Sequence, residues 1–149
     1  MQPSITPMTE ADELLPLLRA CDLPVADVAP GPLQQFFGLR DESGLRGVVG
    51  LELLETEGLL RSLAIAPAHR GKGLAAHLVA FAEARACAQG IGRLFLLTTT
   101  AADYFTRLGY QPTEKAAAPP AIQATAQFAG LCPAASSLLC KSLDDRLRS

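Results

Sequence analysis

The sequence predicts a mixed α/β fold in a single domain over residues 1–149, and three observations carry that reading. Short apolar runs at Phe36–Asp41, Arg46–Glu55 and Leu59–Ala66 are parted by brief polar turns, the pattern of an antiparallel meander. The third run stops at Pro67 and passes through a cationic, glycine-rich turn to Leu74. From there apolar residues at 74, 78, 81 and 82 share one helical face. Beyond Gly90, strands and short helices alternate to the end of the chain.

The elements follow in order. Ser4–Met8 is a short first strand. Thr9, followed by Glu10, Asp12 and Glu13, is the predicted N-cap of a helix to about Cys21. Leu14, Leu17, Leu18 and Cys21 line its apolar face, and Pro16 stands early enough to be tolerated. Asp22–Pro32, with three prolines and a glycine, is irregular. The Glu42-Ser43-Gly44 turn separates the second and third strands, and a turn near Thr56–Gly58 leads into the fourth. The helix from Leu74 ends at Gln89, with Gly90 as a left-handed cap. Arg93–Thr98 is a strand, Ala101–Leu108 a short helix and Tyr110–Glu114 a strand. A low-complexity stretch, Lys115–Pro120, precedes a short helix to Phe128. Ser137–Lys141 is the last strand, and Asp144–Ser149 reads as a frayed tail.

Composition narrows the function. With 49% hydrophobic and 19% charged residues and a net charge of −2, nothing favours nucleic acid as a partner. No apolar stretch approaches a membrane span, and the acidic N-terminal region lacks a signal-peptide pattern. Cys21, Cys87, Cys132 and Cys140 have no metal-type spacing, and Cys132 and Cys140, eight apart, read as packing residues. A cytoplasmic protein with reduced thiols is expected.

The Arg70–Ala75 turn admits several readings. A strand that opens through glycines and cations into a helix N-terminus suits a phosphate, because that end offers unpaired N–H groups and partial positive charge. Gly71-Lys72-Gly73-Leu74-Ala75-Ala76 fits the G-x-G-x-x-A form of a dinucleotide fingerprint. The following strand, Leu94–Thr98, ends in threonines where the ribose-binding acid should stand. A Walker loop would need G-x-x-x-x-G-K-[ST], which is absent. The plain alternative is a strand–helix connection with two solvated cations.

Two blocks in register point further. Arg70-x-x-Gly73-x-Ala75 has the R/Q-x-x-G-x-G/A spacing of the GNAT acyltransferases. Leu63-Ala64-Ile65-Ala66-Pro67-Ala68-His69-Arg70-Gly71-Lys72-Gly73 resembles their L-x-V-x-P strand end and the run after it. About thirty residues on, Arg93–Tyr110 resembles their strand, short helix and aromatic-x-x-x-Gly-aromatic ending. Leu60–Ala64 and Phe128–Pro133 are similar, less specifically, to the small GNAT proteins of arsenic-resistance operons.

The resemblance implies a central, mostly antiparallel sheet with a splayed parallel strand pair, flanked by helices. It implies acetyl-CoA as cosubstrate, no metal, a small-molecule amine as acceptor, and allows a homodimer. Backbone groups of Leu63, Ala64 and Ile65 would hold the pantetheine arm, and the Ile65 N–H would polarise the thioester carbonyl. Arg70, Gly71, Lys72, Gly73, Leu74 and Ala75 would hold the pyrophosphate. Thr98 matches a family asparagine that contacts pantetheine, and its hydroxyl either substitutes for it or caps the helix. An organoarsenical or amino-acid-like acceptor follows from the likeness to the arsenic-operon proteins. A non-catalytic acyl-CoA sensor is the alternative.

Charges inside apolar strands are costly unless paired or used, which singles out Glu52 and Arg61. A turn centred on Thr56-Glu57 sets them directly opposite, and a centre one residue later makes them diagonal. They are a solvent-face ion pair or the acceptor site. In the second reading Glu52, with Glu55 as second choice, accepts the proton of the amine. Arg61 then holds a substrate carboxylate or an oxyanion. The family's leaving-group tyrosine, four residues before the glycine, is replaced here by Phe105; Tyr104 adjoins it about 100° round the helix. His69 and His77 have no catalytic partner spacing.

Overall fold

Seven strands form one sheet in the computed structural model, which describes residues 4–42, 44–131 and 135–143. They are β1 (Ser4–Met8), β2 (Gln34–Asp41), β3 (Gly44–Leu54), β4 (Glu57–Ile65), β5 (Arg93–Thr98), β6 (Gln111–Thr113) and β7 (Ser137–Ser142). Their order is β1-β2-β3-β4-β5-β7-β6. The β1–β2, β2–β3, β5–β7 and β6–β7 pairs are antiparallel, and β4–β5 is parallel. Helices are α1 (Ala11–Ala20), α2 (Leu74–Ala88), α3 (Ala102–Arg107) and α4 (Pro120–Gln123). This is the expected mixed sheet with a parallel pair. The backbone gathers into two compact units, Met1–Glu52 with Leu60–Ala82 and Leu53–Leu59 with Glu83–Ser149. The predicted tail Asp144–Ser149, Cys132 and Ser43 of the first turn lie outside the described residues.

In the first unit, β1 runs against β2 from Ser4 opposite Arg40 to Met8 opposite Phe36. The apolar face of α1 explains its place: Leu14 and Leu18 are fully buried and pack with Met8, Phe36, Val48 and Ala64. One expectation about α1 is corrected: Glu10, not Thr9, holds the cap position, and it makes no side-chain cap bond. Pro16 is tolerated inside the helix, as expected, though it forgoes a bond to the Asp12 carbonyl. Packing of the leucine face outweighs both defects.

The turn between β3 and β4 also differs from expectation. It comprises Glu55 and Thr56, one residue earlier than the nearer predicted centre, and Glu55 adopts φ 62°. Continued down the hairpin, this turn sets Gly50 against Arg61, with Glu52 diagonal to it. A Cβ on Gly50 would stand 3.0 Å from Arg61 Cγ and 2.7 Å from Phe36 Cε1. A glycine at 50 therefore makes room for the arginine stem across the ladder.

The second unit surrounds Leu59, Phe95, Ala118, Ile122 and Leu138. Glu57, Gly58 and Leu59 of β4 pair with Arg93, Leu94 and Phe95, and Arg93 forks onto the Glu57 carboxylate at 2.7 and 3.0 Å. Pro120 opens α4 at a position that needs no N–H donor. Chain predicted as one helix to Phe128 is two pieces, α4 and a wide turn over Gln127–Leu131.

This unit also buries a polar knot. Tyr110 donates its hydroxyl proton to Glu83 at 2.9 Å, and Lys141 Nζ bonds both Glu83 oxygens and the Leu108 carbonyl. Burial and the Glu83 charge hold the Tyr110 phenol protonated far above its ordinary range. Glu83 is 8% exposed, so removing its cation leaves a buried carboxylate poorly compensated. Lys141→Met is expected to cost about 3 kcal/mol, read as a lower denaturant midpoint at unchanged slope. A loss under about 1 kcal/mol would show that the pair behaves as a surface bridge.

Candidate active site

The first unit assembles two features. One is the turn between β4 and α2. After a 3-10 turn at Pro67–His69, Gly71 and Gly73 take φ 80° and 78°, the left-handed region that costs side-chain-bearing residues about 1–2 kcal/mol. A Cβ at either glycine would meet nothing within 4 Å. Both backbones are therefore open on the side where a ligand would approach. Leu74 begins a 15-residue helix, whose first-turn N–H groups have no intrahelical acceptor. Arg70 and Lys72 are exposed beside it. Arg70 Nε donates to the Ile65 carbonyl at 3.2 Å, and its Nη2 reaches Cys21 Sγ at 3.3 Å. Lys72 donates to His69 Nδ1 at 3.3 Å. Desolvation, then the cations Arg46 and Lys72, hold the His69 imidazole below its ordinary value, in its accepting, neutral form. Two glycines, a helix start and two cations fit a pyrophosphate.

The other feature is a charged cluster on β2, β3, β4 and the loop before them. Gln34 and Glu52 stand opposite each other in the β2–β3 ladder. Arg61 is buried, its side chain 1% exposed, over the Phe36 ring at 5.6 Å. Its fork binds both oxygens of Asp27, Nη1 to Oδ2 at 2.5 Å and Nη2 to Oδ1 at 2.8 Å. Its Nε donates to Ser62 Oγ at 3.0 Å, and Ser62 itself adopts φ 55°. Glu52 Oε1 lies 3.7 Å from Arg61 Nη1 and 3.5 Å from Gln34 Nε2. Glu52 Oε2 is buried and has no hydrogen-bond partner among the described residues. Burial pushes the Glu52 carboxyl above its usual range; Asp27 adds to this, while Arg61 and Gln34 oppose it. An acid that is desolvated, partly paired and left with one bare oxygen is equipped to take a proton.

Glu52 and Arg61 are thus neighbours, as the strand pattern suggested, in a largely buried cluster rather than on a solvent face. Asp27 lies in a stretch that the sequence marks only as irregular, and Gln34 is not singled out by the sequence at all. A loop without periodicity gives no sign that one of its carboxylates will fork onto a strand arginine. Gln34 was missed because β2 begins two residues before the apolar run that announced it. Leu63 is half-buried, whereas Ala64 and Ile65 are buried at the end of β4. Glu55, the second choice for a base, is exposed in the hairpin turn.

Thr98 and Phe105 belong to the second unit. Thr98 Oγ1 accepts the Ala101 N–H at 3.0 Å, so this hydroxyl does order the entry to α3. Phe105 is buried against Tyr110 and Tyr104, with ring centroids 5.7 and 5.4 Å away. Tyr104 is half-buried, its phenol pushed up by desolvation and opposed by Arg107. A raised phenol stays protonated, yet it sits off the Phe105 position. Tyr104→Phe is therefore expected to hold kcat within about threefold, against the hundredfold typical of a lost general acid. A collapse of kcat at constant KM would instead make Tyr104 the proton donor.

No helix among the described residues is long and apolar enough to cross a membrane, and no group of three or more metal-ligating side chains occurs among them.

Comparison with known proteins agrees with this fold. The profile of the acetyltransferase (GNAT) domain matches residues 32–112, from the end of the Asp27 loop into β6. An amino-acid acetyltransferase of Ectopseudomonas mendocina (strain ymp) is 45% identical over 56 residues, 38% of this chain but 13% of that protein's length. A Klebsiella pneumoniae structure assigned to the acyl-CoA N-acyltransferases superposes with a TM-score of 0.75 at 26% identity, covering 95% of this chain and 98% of that one. N-acetylglutamate synthase from Neisseria gonorrhoeae, solved with coenzyme A and N-acetyl-glutamate, has a TM-score of 0.73 at 19% identity over 97% of this chain and 36% of its own. At that identity the likeness concerns the fold. With more than half of the chain inside the domain profile, the chain belongs to the GNAT acetyltransferase family.

Proposed function

We propose that this protein is an acetyl-CoA-dependent N-acetyltransferase whose acceptor is a small, amino-acid-like amine. The observation that carries the proposal is the bare, buried Oε2 of Glu52 beside Arg61. Acetyl-CoA would supply the activated acetyl thioester. N–H groups from Gly71 to Ala75, with Arg70 and Lys72, would hold its pyrophosphate, and backbone groups of Leu63, Ala64 and Ile65 its pantetheine arm. The Ile65 N–H would stabilise the oxyanion. Glu52 would take the proton that the amine must lose before it is a nucleophile, directly or through one water. Arg61 would face the acceptor's carboxylate.

The name of the amino-acid acetyltransferase relative supports an acceptor carrying both an amine and a carboxylate. An arsenical amino acid, the acceptor class suggested by the likeness to arsenic-operon proteins, meets the same requirement. The test is release of free thiol from acetyl-CoA in the presence of amino acids, polyamines and arsenical amino acids. Turnover is expected with acceptors that carry an amine, and acetylation at nitrogen by mass spectrometry. Binding of acetyl-CoA with no acceptor-dependent release across the panel would favour the non-catalytic sensor instead.

A further inference from the structure

Asp27 makes with Arg61 the two-bonded pair by which a guanidinium reads the carboxylate of a ligand. The partner here is supplied by the chain itself, from the loop between α1 and β2. Gln34 steadies that loop, accepting the Ala29 N–H at 2.6 Å and donating to the Asp27 carbonyl at 3.1 Å. Leu23, Val25 and Val28 pack it onto the first unit's core. The loop therefore has anchors besides the Asp27 side chain.

Charge balance gives the pair its meaning. The Asp27 and Glu52 carboxylates face the Arg61 guanidinium, and the neutral Gln34 amide donates to Glu52. Two carboxylates against one guanidinium carry one surplus negative charge, and Glu52 Oε2 has no hydrogen-bond partner among the described residues. A plain ammonium entering the site neutralises that surplus. A zwitterionic amino acid brings no net charge, so it neutralises the cluster only if its carboxylate replaces that of Asp27, which then turns to solvent.

Building on the acceptor site proposed above, we infer that Asp27 is an internal carboxylate occupying the position in Arg61's fork that an acceptor's carboxylate takes. Acceptor and Asp27 exchange on one guanidinium. Asp27 is then a specificity residue: it burdens carboxylate-bearing acceptors with the displacement and leaves simple amines unburdened.

Two measurements test this. The first needs no turnover. Asp27→Gly vacates the fork, and sodium formate should raise its unfolding temperature by several degrees over a sodium chloride control of equal ionic strength. Formate should move the wild type, and the double variant Asp27→Gly/Arg61→Gln, by less than about one degree. An Asp27→Gly protein indifferent to formate, or a double variant that still responds, overturns the inference. The second uses Asp27→Asn, which keeps the side chain's size. Specificity is read on amino acids paired with their decarboxylated amines, such as lysine with cadaverine and phenylalanine with phenethylamine. The ratio of kcat/KM, amino acid over amine, should rise at least about tenfold, mainly through KM. A merely structural brace would lower both members of a pair alike, and that result also overturns the inference. Full activity in Glu52→Gln would remove the proton-acceptor reading while leaving the formate response intact, so the two failures are separable.

Discussion

Glu52→Gln is expected to lower kcat by about two to four orders of magnitude, the usual contribution of a positioned general base, with the acetyl-CoA KM nearly unchanged. The amide keeps the shape of the carboxylate and fills the same buried wall of β3, so the fold should tolerate it. Removing a desolvated charge whose Oε2 has no partner should, if anything, stabilise the protein. Loss of activity with equal or higher unfolding temperature would separate chemistry from folding. A variant as active as the wild type would show that the acceptor loses its proton to bulk water.

Gly73→Val is expected to weaken acetyl-CoA binding at least about a hundredfold, some 2.7 kcal/mol, as measured by titration calorimetry. The backbone at 73 has φ 78° with open space beyond it. A β-branched residue is excluded from that conformation by its own backbone rather than by a neighbour. The turn must re-form, and the N–H groups proposed to hold the pyrophosphate are lost together. Because nothing stands within 4 Å of the added carbon, the core is untouched and the circular dichroism spectrum should not change. Unaltered affinity would remove this turn from the coenzyme site.

How far the chain could be read from its residues depends on how local each signal was. Ser4–Met8 and Arg93–Thr98 were bounded correctly, and α2 ends within one residue of its predicted limit. In α2, apolar periodicity and a terminating glycine act together. Gly90 closes α2 with φ 87°, as a left-handed cap should. The β3–β4 turn was misplaced because Gly58 invites a later turn, whereas the chain puts Glu55 in the left-handed region, a position no residue type announces. Thr9 is preferred as a cap on side-chain chemistry, but α1 begins at Ala11, directly after Glu10.

The same contrast governs the site. The glycine turn is legible because its chemistry lies in consecutive residues. Glu52 and Arg61 were legible as charges out of place in strands. Asp27 is joined to Arg61 across 34 positions, and that pairing exists only once the loop has packed its apolar residues. Long-range partners of this kind leave no local trace.

The pH dependence of kcat/KM, compared between wild type and Glu52→Gln, tests the central claim most directly. Only ionised Glu52 can accept a proton, so the wild-type rate should rise with pH through its titration. Desolvation sets that inflection above the ordinary glutamate value of 4.5, and the more basic limb of the acceptor amine lies separately at higher pH. With glutamine at 52 the acidic limb should vanish while the amine limb stays. An acidic limb that persists unchanged in Glu52→Gln would contradict Glu52 as the proton acceptor and the active-site wall built around it.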